Sequence, residues 1–338
     1  MIAVVAASCL TFVGCASEPY RQTPDSPPTP SSTTSATPTP SSTSLSSASL
    51  SSQSSAPQQT TAPLGTVDCS TPAPSASLPK GAGVKFSQNG IAAGILKPGT
   101  NHNEAASAYA VPAAQVHQWL VDPTTQPTNR KIAFLTFDDG PSSITIQVLD
   151  VLRGKGVHAT FFVIGPQLRA VNSSVLTTLL GDGNAVALHT WSHNYRYLYP
   201  GRVGDATHIV CDVQAVNDGT TQVLGGDFHT SAYRYPGGHG SWRQLELADA
   251  SLAQRGYSWI DWNALSGDAE PKGKAPTTSA AMLDYFKASI MESQRATGRT
   301  NVLVILNHDS SGATLSIQTL PAMIDYLKAQ GYEFGVIE

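Results

Sequence analysis

Residues 131–141 read KIAFLTFDDGP, a hydrophobic run that ends in two aspartates, a glycine and a proline. The run Ile132–Phe137 is rich in strand-forming residues and indicates a β-strand. Two adjacent carboxylates at a strand end are costly without a partner cation. A turn at Asp139 could bring them together, so that one binds a metal while the other takes a proton from metal-bound water. The alternative is a helix cap or turn pair, which Asp often forms.

The same pattern recurs along the chain. Six more strand-like runs follow, at Thr160–Ile164, Ala185–Leu188, Ala232–Tyr235, Tyr257–Trp262, Val302–Leu306 and Phe334–Ile337. Between them, apolar residues at helical spacing predict helices around 144–152, 245–253, 282–290 and 320–327, with ends at Gly154, Gly256, Gly298 and Gly331. Strand and helix in alternation predict a parallel α/β fold, with a closed or nearly closed barrel favoured over a flat doubly wound sheet. No G-x-G-x-x-G or P-loop motif follows the first run, which disfavours a nucleotide-binding sheet.

Polar residues stand at the ends of successive strand-like runs, where parallel α/β folds place their active sites. His189 and His193, four residues apart, follow the third run. On a helical turn such a pair can face one metal, although two exposed loop histidines would have the same spacing. With Asp139 they would form a site of two histidines and one carboxylate, the pattern of catalytic zinc. A non-haem iron oxygenase uses the same ligand types and is the alternative.

The remaining strand ends carry groups suited to acid–base chemistry. Arg234 could orient a carboxylate, and the backbone N–H of Gly237 could contact an oxyanion. Trp262, paired with Trp259, could stack on a sugar or lie in the core. His308 could donate a proton. Each has a structural alternative, but five polar clusters at five successive strand ends favour a catalytic site.

Taken in order, five segments resemble the motifs of the NodB-type polysaccharide deacetylases, carbohydrate esterase family 4, and within it the bacterial peptidoglycan N-acetylglucosamine deacetylases. They read TFDDGP (136–141), HTWSH (189–193), RYPGG (234–238), DWNALSGDA (261–269) and LNHD (306–309). The resemblance covers residues 130–338 and implies a NodB homology domain, an α/β distorted (β/α) barrel of about seven units. Tyr235 and Ala269 depart from the usual family residues, but neither stands at a ligand or proton-transfer position.

The resemblance implies a role for each matched residue. Asp139, His189 and His193 would hold a divalent metal, Asp138 would be the general base, and His308 would be the general acid. The metal expected is Zn²⁺, with Co²⁺, Mn²⁺ and Ni²⁺ as alternatives, because these ligands select weakly among such ions.

Further residues would support this set. Arg234 would orient Asp138, and Asp268 would pair with His308. Gly237 would supply its N–H to the oxyanion, Leu306 would line the pocket of the acetyl methyl group, and Trp262 would contact the sugar.

The beginning of the chain has a different composition. Residues 1–15 are apolar and end in Gly14-Cys15, which resembles a bacterial lipoprotein leader with Cys15 as the lipidated residue, although no Lys or Arg precedes Arg21. An ordinary secretory signal is the alternative. Residues 16–68 form a Ser/Thr/Pro-rich segment that predicts a disordered tether, since 26–67 contain no Asp, Glu, Lys or Arg. A lead-in segment (69–129) and the catalytic domain (130–338) follow.

Four cysteines occur, and two of them belong to the leader. Cys69 and Cys211 remain, and in an exported protein they favour one disulfide over two free thiols.

Composition and charge also bear on the kind of partner this chain can bind. Only 13% of the 338 residues are charged and the net charge is −4, which argues against a nucleic-acid partner. We therefore expect an exported, monomeric deacetylase at the cell envelope, attached to the membrane only through a lipid anchor, with peptidoglycan as the first substrate. Chitin oligomers, an exopolysaccharide, acetylxylan esters and a non-catalytic wall-binding role are the alternatives.

Overall fold

The structure is a computed structural model, and it describes residues 67–69, 92, 94–168 and 173–338. The leader with Cys15 and the tether up to residue 66 lie outside the described residues, so export, lipid attachment and a tethering role remain predictions. Among the described residues, no helix combines the length and the apolar character needed to cross a membrane.

A parallel β-sheet organises the described part of the chain. Its strands, in chain order, are β2 (Lys131–Asp138), β3 (Ala159–Val163), β4 (Ala185–Leu188), β5 (Ala232–Tyr233), β6 (Ser258–Trp259), β7 (Ala264–Leu265), β8 (Val302–His308) and β9 (Tyr332–Phe334). Their spatial order is β6-β5-β4-β3-β2-β8-β7, and β9 also pairs with β2. Two further strands, β1 (Ala110–Val111) and β10 (Val336–Ile337), form a separate parallel pair.

Helices alternate with these strands. They are α1 (Ala113–Val121), α2 (Ser143–Lys155), α3 (Ser173–Gly181), α4 (Tyr195–Leu198), α5 (Ala206–Leu224), α6 (Glu246–Gln254), α7 (Ser279–Thr297) and α8 (Thr314–Ala329). The four helices predicted from apolar spacing correspond to α2, α6, α7 and α8. The prediction of an α/β distorted barrel is confirmed, because the parallel sheet curls into a partial barrel with helices outside it.

The first β/α unit shows how local sequence sets element boundaries. Ser142 caps α2, accepting a hydrogen bond from the Ile144 N–H while the Thr145 hydroxyl accepts one from the Ser142 N–H. The helix was expected to end at Gly154 but continues to Lys155. Gly156 ends it instead, because this residue adopts the left-handed conformation (φ 60°) that closes a helix.

Strand β2 is buried on both faces, with only Lys131 partly exposed. Ala133, Leu135 and Phe137 belong to the large apolar cluster that contains residues of α2, α5 and α8. Ile132 and Phe134 belong to a second cluster, which β10 and α1 help to form inside the curled sheet. This alternation explains the continuous apolar run, since a parallel strand under helices has no solvent-facing side.

The later strand boundaries differ from the predictions. The run Tyr257–Trp262 contributes only the short β6, and the run Phe334–Ile337 is divided between β9 and β10 at Gly335. A Cβ on Gly335 would lie 2.8 Å from the Phe134 ring and 3.0 Å from the Tyr109 carbonyl oxygen. The close approach of these groups therefore requires glycine there.

The described part of the lead-in segment packs against the barrel. Asn101 is fully buried, and its Nδ2 donates to the Ile337 carbonyl and the Thr230 hydroxyl. Its backbone carbonyl accepts a hydrogen bond from the Val186 N–H. Asn101 thus ties the lead-in segment to β4, to β10 and to the residues before β5.

The predicted disulfide between Cys69 and Cys211 is present. The bond joins residue 69, where the predicted tether meets the lead-in segment, to helix α5.

Candidate active site

The predicted site residues lie at one end of the curled sheet. Asp138 and His308 are the last residues of β2 and β8, and they are register partners across these adjacent strands. His189 and Arg234 come directly after β4 and β5. Since parallel strands bring their carboxyl ends to the same edge, residues up to 170 positions apart in sequence meet there.

Asp139, His189 and His193 form the candidate metal centre. One ligand atom from each lies within 4.8 Å of the other two. Asp139 Oδ1 is 3.7 Å from His189 Nε2 and 3.3 Å from His193 Nε2. That carboxylate oxygen is buried and has no hydrogen-bond partner among the described residues. Two imidazole nitrogens and one carboxylate oxygen suit Zn²⁺ and similar divalent ions, so the residues fit the expected metal.

The tautomer of His189 is set by the strand next to it. Its Nδ1 lies 2.9 Å from the Arg234 carbonyl oxygen, to which it donates. Nε2 is then left as the nitrogen that can bind a metal. Burial lowers the pKa of His189 well below its usual range, which keeps the ring neutral as a metal ligand requires. The sequence did not predict this carbonyl contact, because backbone groups leave no residue-type signal.

Asp138 is held by a buried arginine. Arg234 is fully buried, and its Nη1 donates to Asp138 Oδ1 at 2.7 Å and to the Thr136 hydroxyl at 2.8 Å. Its Nε donates to the Ile260 carbonyl at 2.8 Å, which fixes the guanidinium plane. Burial raises the pKa of Asp138, and the Arg234 charge is the strongest influence that lowers it. The expected orienting role of Arg234 therefore has direct geometric support.

His308 is paired with Asp268 through two hydrogen bonds. Its Nδ1 lies 2.9 Å from Asp268 Oδ1, and its backbone N–H donates to Oδ2 at 2.9 Å. The Ser316 hydroxyl also donates to Oδ2. Burial lowers the pKa of His308. The charge and hydrogen bond of Asp268, together with the charges of Asp138 and Asp139, act in the opposite direction and raise the pKa to about 10. At neutral pH this imidazole carries the proton that a general acid needs.

The loop after β5 presents the backbone of Gly237. This residue has φ 78°, and among the described residues its N–H has no hydrogen-bond partner. Trp242 Nε1 donates to the Pro236 carbonyl at 2.8 Å. That carbonyl belongs to the same peptide group as the Gly237 N–H, so the indole fixes the plane of the group. No sequence pattern predicted this role for Trp242.

Leu306 and Trp262 flank the site less directly. In β8, Leu303 and Ile305 face the helices while Val302 and Val304 face the inside of the sheet, so Leu306 shares the inward side with His308. The Trp262 ring centroid lies 5.5 Å from the Arg234 guanidinium carbon.

Asp309 is a buried carboxyl that sequence reasoning left without a role. One of its oxygens accepts the Thr145 hydroxyl, and burial raises its pKa to about 7. A Cβ on Gly140 would collide with this carboxyl group. The glycine of the TFDDGP segment is thus required by the close approach of β8 to the turn that carries Asp139.

Comparisons with known proteins identify the family of the chain. The sequence profile of the polysaccharide deacetylase family matches residues 125–257. YheN of Bacillus subtilis (strain 168), assigned to the polysaccharide deacetylases, is 31% identical over 216 residues, which are 64% of this chain and 70% of YheN. The peptidoglycan-N-acetylglucosamine deacetylase PgdA of Listeria monocytogenes is 31% identical over 217 residues, 62% of this chain and 39% of PgdA. The chain thus matches less than half the length of that relative.

A solved structure, a CE4 esterase of Streptococcus mutans, is 41% identical with a TM-score of 0.67. The match covers 75% of this chain and all of that chain.

Proposed function

This chain belongs to the polysaccharide deacetylases of carbohydrate esterase family 4, and we propose that it hydrolyses the N-acetyl groups of peptidoglycan N-acetylglucosamine with the help of a divalent metal. One observation carries the proposal. The buried carboxylate of Asp138 and the imidazole of His308 are register partners on adjacent strands, beside three residues that fit a metal. A base, an acid and a Lewis-acid site at one strand edge are the groups that amide hydrolysis needs.

The metal would be held by Asp139, His189 and His193. When bound, it would lower the pKa of a water molecule and polarise the acetyl carbonyl.

Asp138 accepts the proton of the attacking water. Its Oδ1 is engaged by Arg234, which leaves Oδ2 for the water, and Oδ2 lies 3.5 Å from His189 Nε2, close to the triad. Arg234 favours the ionised carboxylate, the form that can accept a proton.

His308 gives its Nε2 proton to the amide nitrogen as the C–N bond breaks. An amine leaves poorly unless it is protonated, so this transfer is essential for an amide substrate. Asp268 holds the opposite nitrogen and keeps the ring charged and oriented. The products are acetate and a free amino sugar.

Negative charge develops on the carbonyl oxygen during attack. The Gly237 N–H is a donor in a fixed peptide plane, and such preorganised donors stabilise an oxyanion. Leu306, on the same inward side as His308, is suited to contact the acetyl methyl group.

Peptidoglycan is favoured among the possible polysaccharides. The PgdA relative is named for this substrate. The expected leader and the tether of residues 16–68 would also place the catalytic domain outside the cell, attached through Cys15 to the outer face of the cytoplasmic membrane. Chitin oligomers, an exopolysaccharide and acetylxylan esters would use the same catalytic residues, so the substrate has to be tested directly.

The test is acetate release by the full chain from peptidoglycan, chitopentaose and acetylxylan side by side. We expect release from peptidoglycan at the highest kcat/KM, and release at least about 100-fold slower in the Asp138→Asn variant. Release from only chitopentaose or acetylxylan would contradict the substrate proposal while leaving the catalytic site intact. No release from any of the three would contradict the enzymatic role.

A further inference from the structure

The segment between the two histidine ligands has an unusual backbone. Thr190 has φ 77° and His193 has φ 47°, both in the left-handed region that non-glycine residues rarely adopt. Such conformations persist only where the surrounding structure imposes them. The contacts that impose them therefore also determine the separation of the two imidazoles.

Helix α5 supplies two of these contacts through one residue. The Trp191 N–H donates to the Asp212 carbonyl at 3.2 Å, and the Ser192 N–H donates to Asp212 Oδ2 at 2.9 Å. Asp212 is fully buried. Two consecutive peptide groups between the metal ligands are thus held by the backbone and the side chain of a single residue.

The same helix also receives the side chain of Trp191. A Cβ on Gly219 or on Gly165 would collide with the Trp191 ring, so both glycines create the space that it fills. Gly219 lies seven residues, about two helical turns, after Asp212 and therefore on the same face of α5. The disulfide at Cys211 fixes this part of the helix to residue 69.

We propose that Asp212 is a positioning residue of the metal centre, which holds the segment 189–193 in the conformation that brings His189 and His193 together. The proposal rests on the metal triad of the proposed function. Its physical basis is the Ser192 N–H, which points into a buried region and needs an acceptor there; the Asp212 carboxylate supplies one. Without it, the peptide groups of the segment can rotate and the two ligand nitrogens lose their spacing.

The test measures affinity for Zn²⁺ in the full chain by competition with a chromophoric chelator. Asp212→Ala removes the acceptor, and we expect a 10- to 100-fold weaker affinity, as is typical when a residue supporting a metal ligand is lost. Asp212→Asn keeps an amide oxygen at the same place, so it should bind within about threefold of the unaltered chain. Asp218→Ala, an exposed position on the same helix, is the matched control and should not change affinity.

A purely structural role for Asp212 would lower thermal stability and leave the affinity of the folded protein unchanged. Folded Asp212→Ala with unaltered Zn²⁺ affinity would therefore overturn the proposal. If Asp212→Ala does not fold, Asp212→Glu decides the question. It displaces the carboxylate by one methylene, and an unaltered affinity would again overturn the proposal. An unaltered chain that binds no Zn²⁺ would overturn the proposed metal centre as well. Zn²⁺ binding by the unaltered chain, together with an unchanged affinity in the variants, would overturn only the role of Asp212.

Discussion

Replacement of Arg234 by methionine isolates the contribution of the buried ion pair. Methionine has a similar length and no donor, so Arg234→Met leaves the Asp138 carboxylate and the Ile260 carbonyl without their partner. At the observed 2.7 Å and an effective dielectric constant of about 20, the two charges attract by about 6 kcal/mol. Desolvation offsets part of this, and removal of one partner from a buried pair lowers the free energy of unfolding by about 3–5 kcal/mol.

The loss of stability in Arg234→Met should depend on pH in a defined direction. Burial already raises the pKa of Asp138, and without Arg234 that pKa rises further. A carboxyl whose pKa is raised by folding destabilises the protein as pH rises from about 4 through the raised value. The destabilisation by Arg234→Met should therefore be larger at pH 7 than at pH 4. The acid limb of kcat/KM should also move to higher pH, because a protonated Asp138 cannot accept a proton, and activity at pH 7 should fall by about 10²–10⁴-fold.

Urea unfolding followed by circular dichroism at both pH values, together with kcat/KM against pH, measures these effects. Arg243→Met, at an exposed arginine, is the control and should change neither quantity. Adding Asp138→Asn to Arg234→Met removes the unpaired charge and should recover part of the stability. An equal destabilisation at pH 4 and pH 7, or an unmoved acid limb, would refute the assigned role of the pair.

Three further variants test the other parts of the site. Asp268→Asn removes the charge that raises the pKa of His308. The alkaline limb of kcat, where the general acid loses its proton, should therefore shift to lower pH by at least about one unit. An unmoved limb in a pH–rate profile would contradict the pairing of Asp268 with His308. Trp242→Phe removes the donor that orients the Gly237 peptide group. We expect kcat to fall about 5- to 30-fold, with KM and Zn²⁺ affinity unchanged. A change confined to KM would argue for a binding role. Asp138→Asn should keep Zn²⁺ binding, measured by chelator competition, and lose at least about 100-fold in kcat; substantial remaining turnover would remove Asp138 from the role of base.

Much of the site could be predicted because it follows from strand ends. Asp138 and His308 end two buried parallel strands, Asp139 follows the first of them, and the segment 189–193 with the two histidines follows a third strand. Once the repeated strand–helix pattern indicates a parallel sheet, the carboxyl ends must share an edge, whatever lies between them in sequence. Spacing and residue type therefore indicated which residues share this edge, while the resemblance to the family supplied the role expected of each.

The supporting contacts could not be predicted in the same way. Arg234 meets Thr136 across 98 residues, and His189 is fixed by a backbone carbonyl. Both contacts depend on strand register, which spacing within one segment does not specify. Trp242 donates to the backbone carbonyl of Pro236, and because every residue has a backbone carbonyl, no residue type marks this contact in the sequence.

Helix α5 was missed for a different reason. Its sequence, ATHIVCDVQAVNDGTTQVL, is rich in β-branched residues, Asn, Asp and Gly, which are poor helix formers. Ten of its 19 residues are buried, including Asp212 and Thr220, so its stability comes from packing and from internal polar contacts. A pattern of apolar residues on one face identifies an exposed helix more readily than a largely buried one.

The central claim is that a metal held by Asp139, His189 and His193 is required for deacetylation. Its most direct test is acetate release from peptidoglycan by the full chain after removal of metal with a chelator and after readdition of Zn²⁺, with metal content measured in parallel for the unaltered chain and His193→Ala. We predict one equivalent of metal, loss of acetate release on chelation and recovery on readdition, and loss of both metal and activity in His193→Ala. Acetate release that survives complete metal removal, or an active His193→Ala variant, would contradict the account.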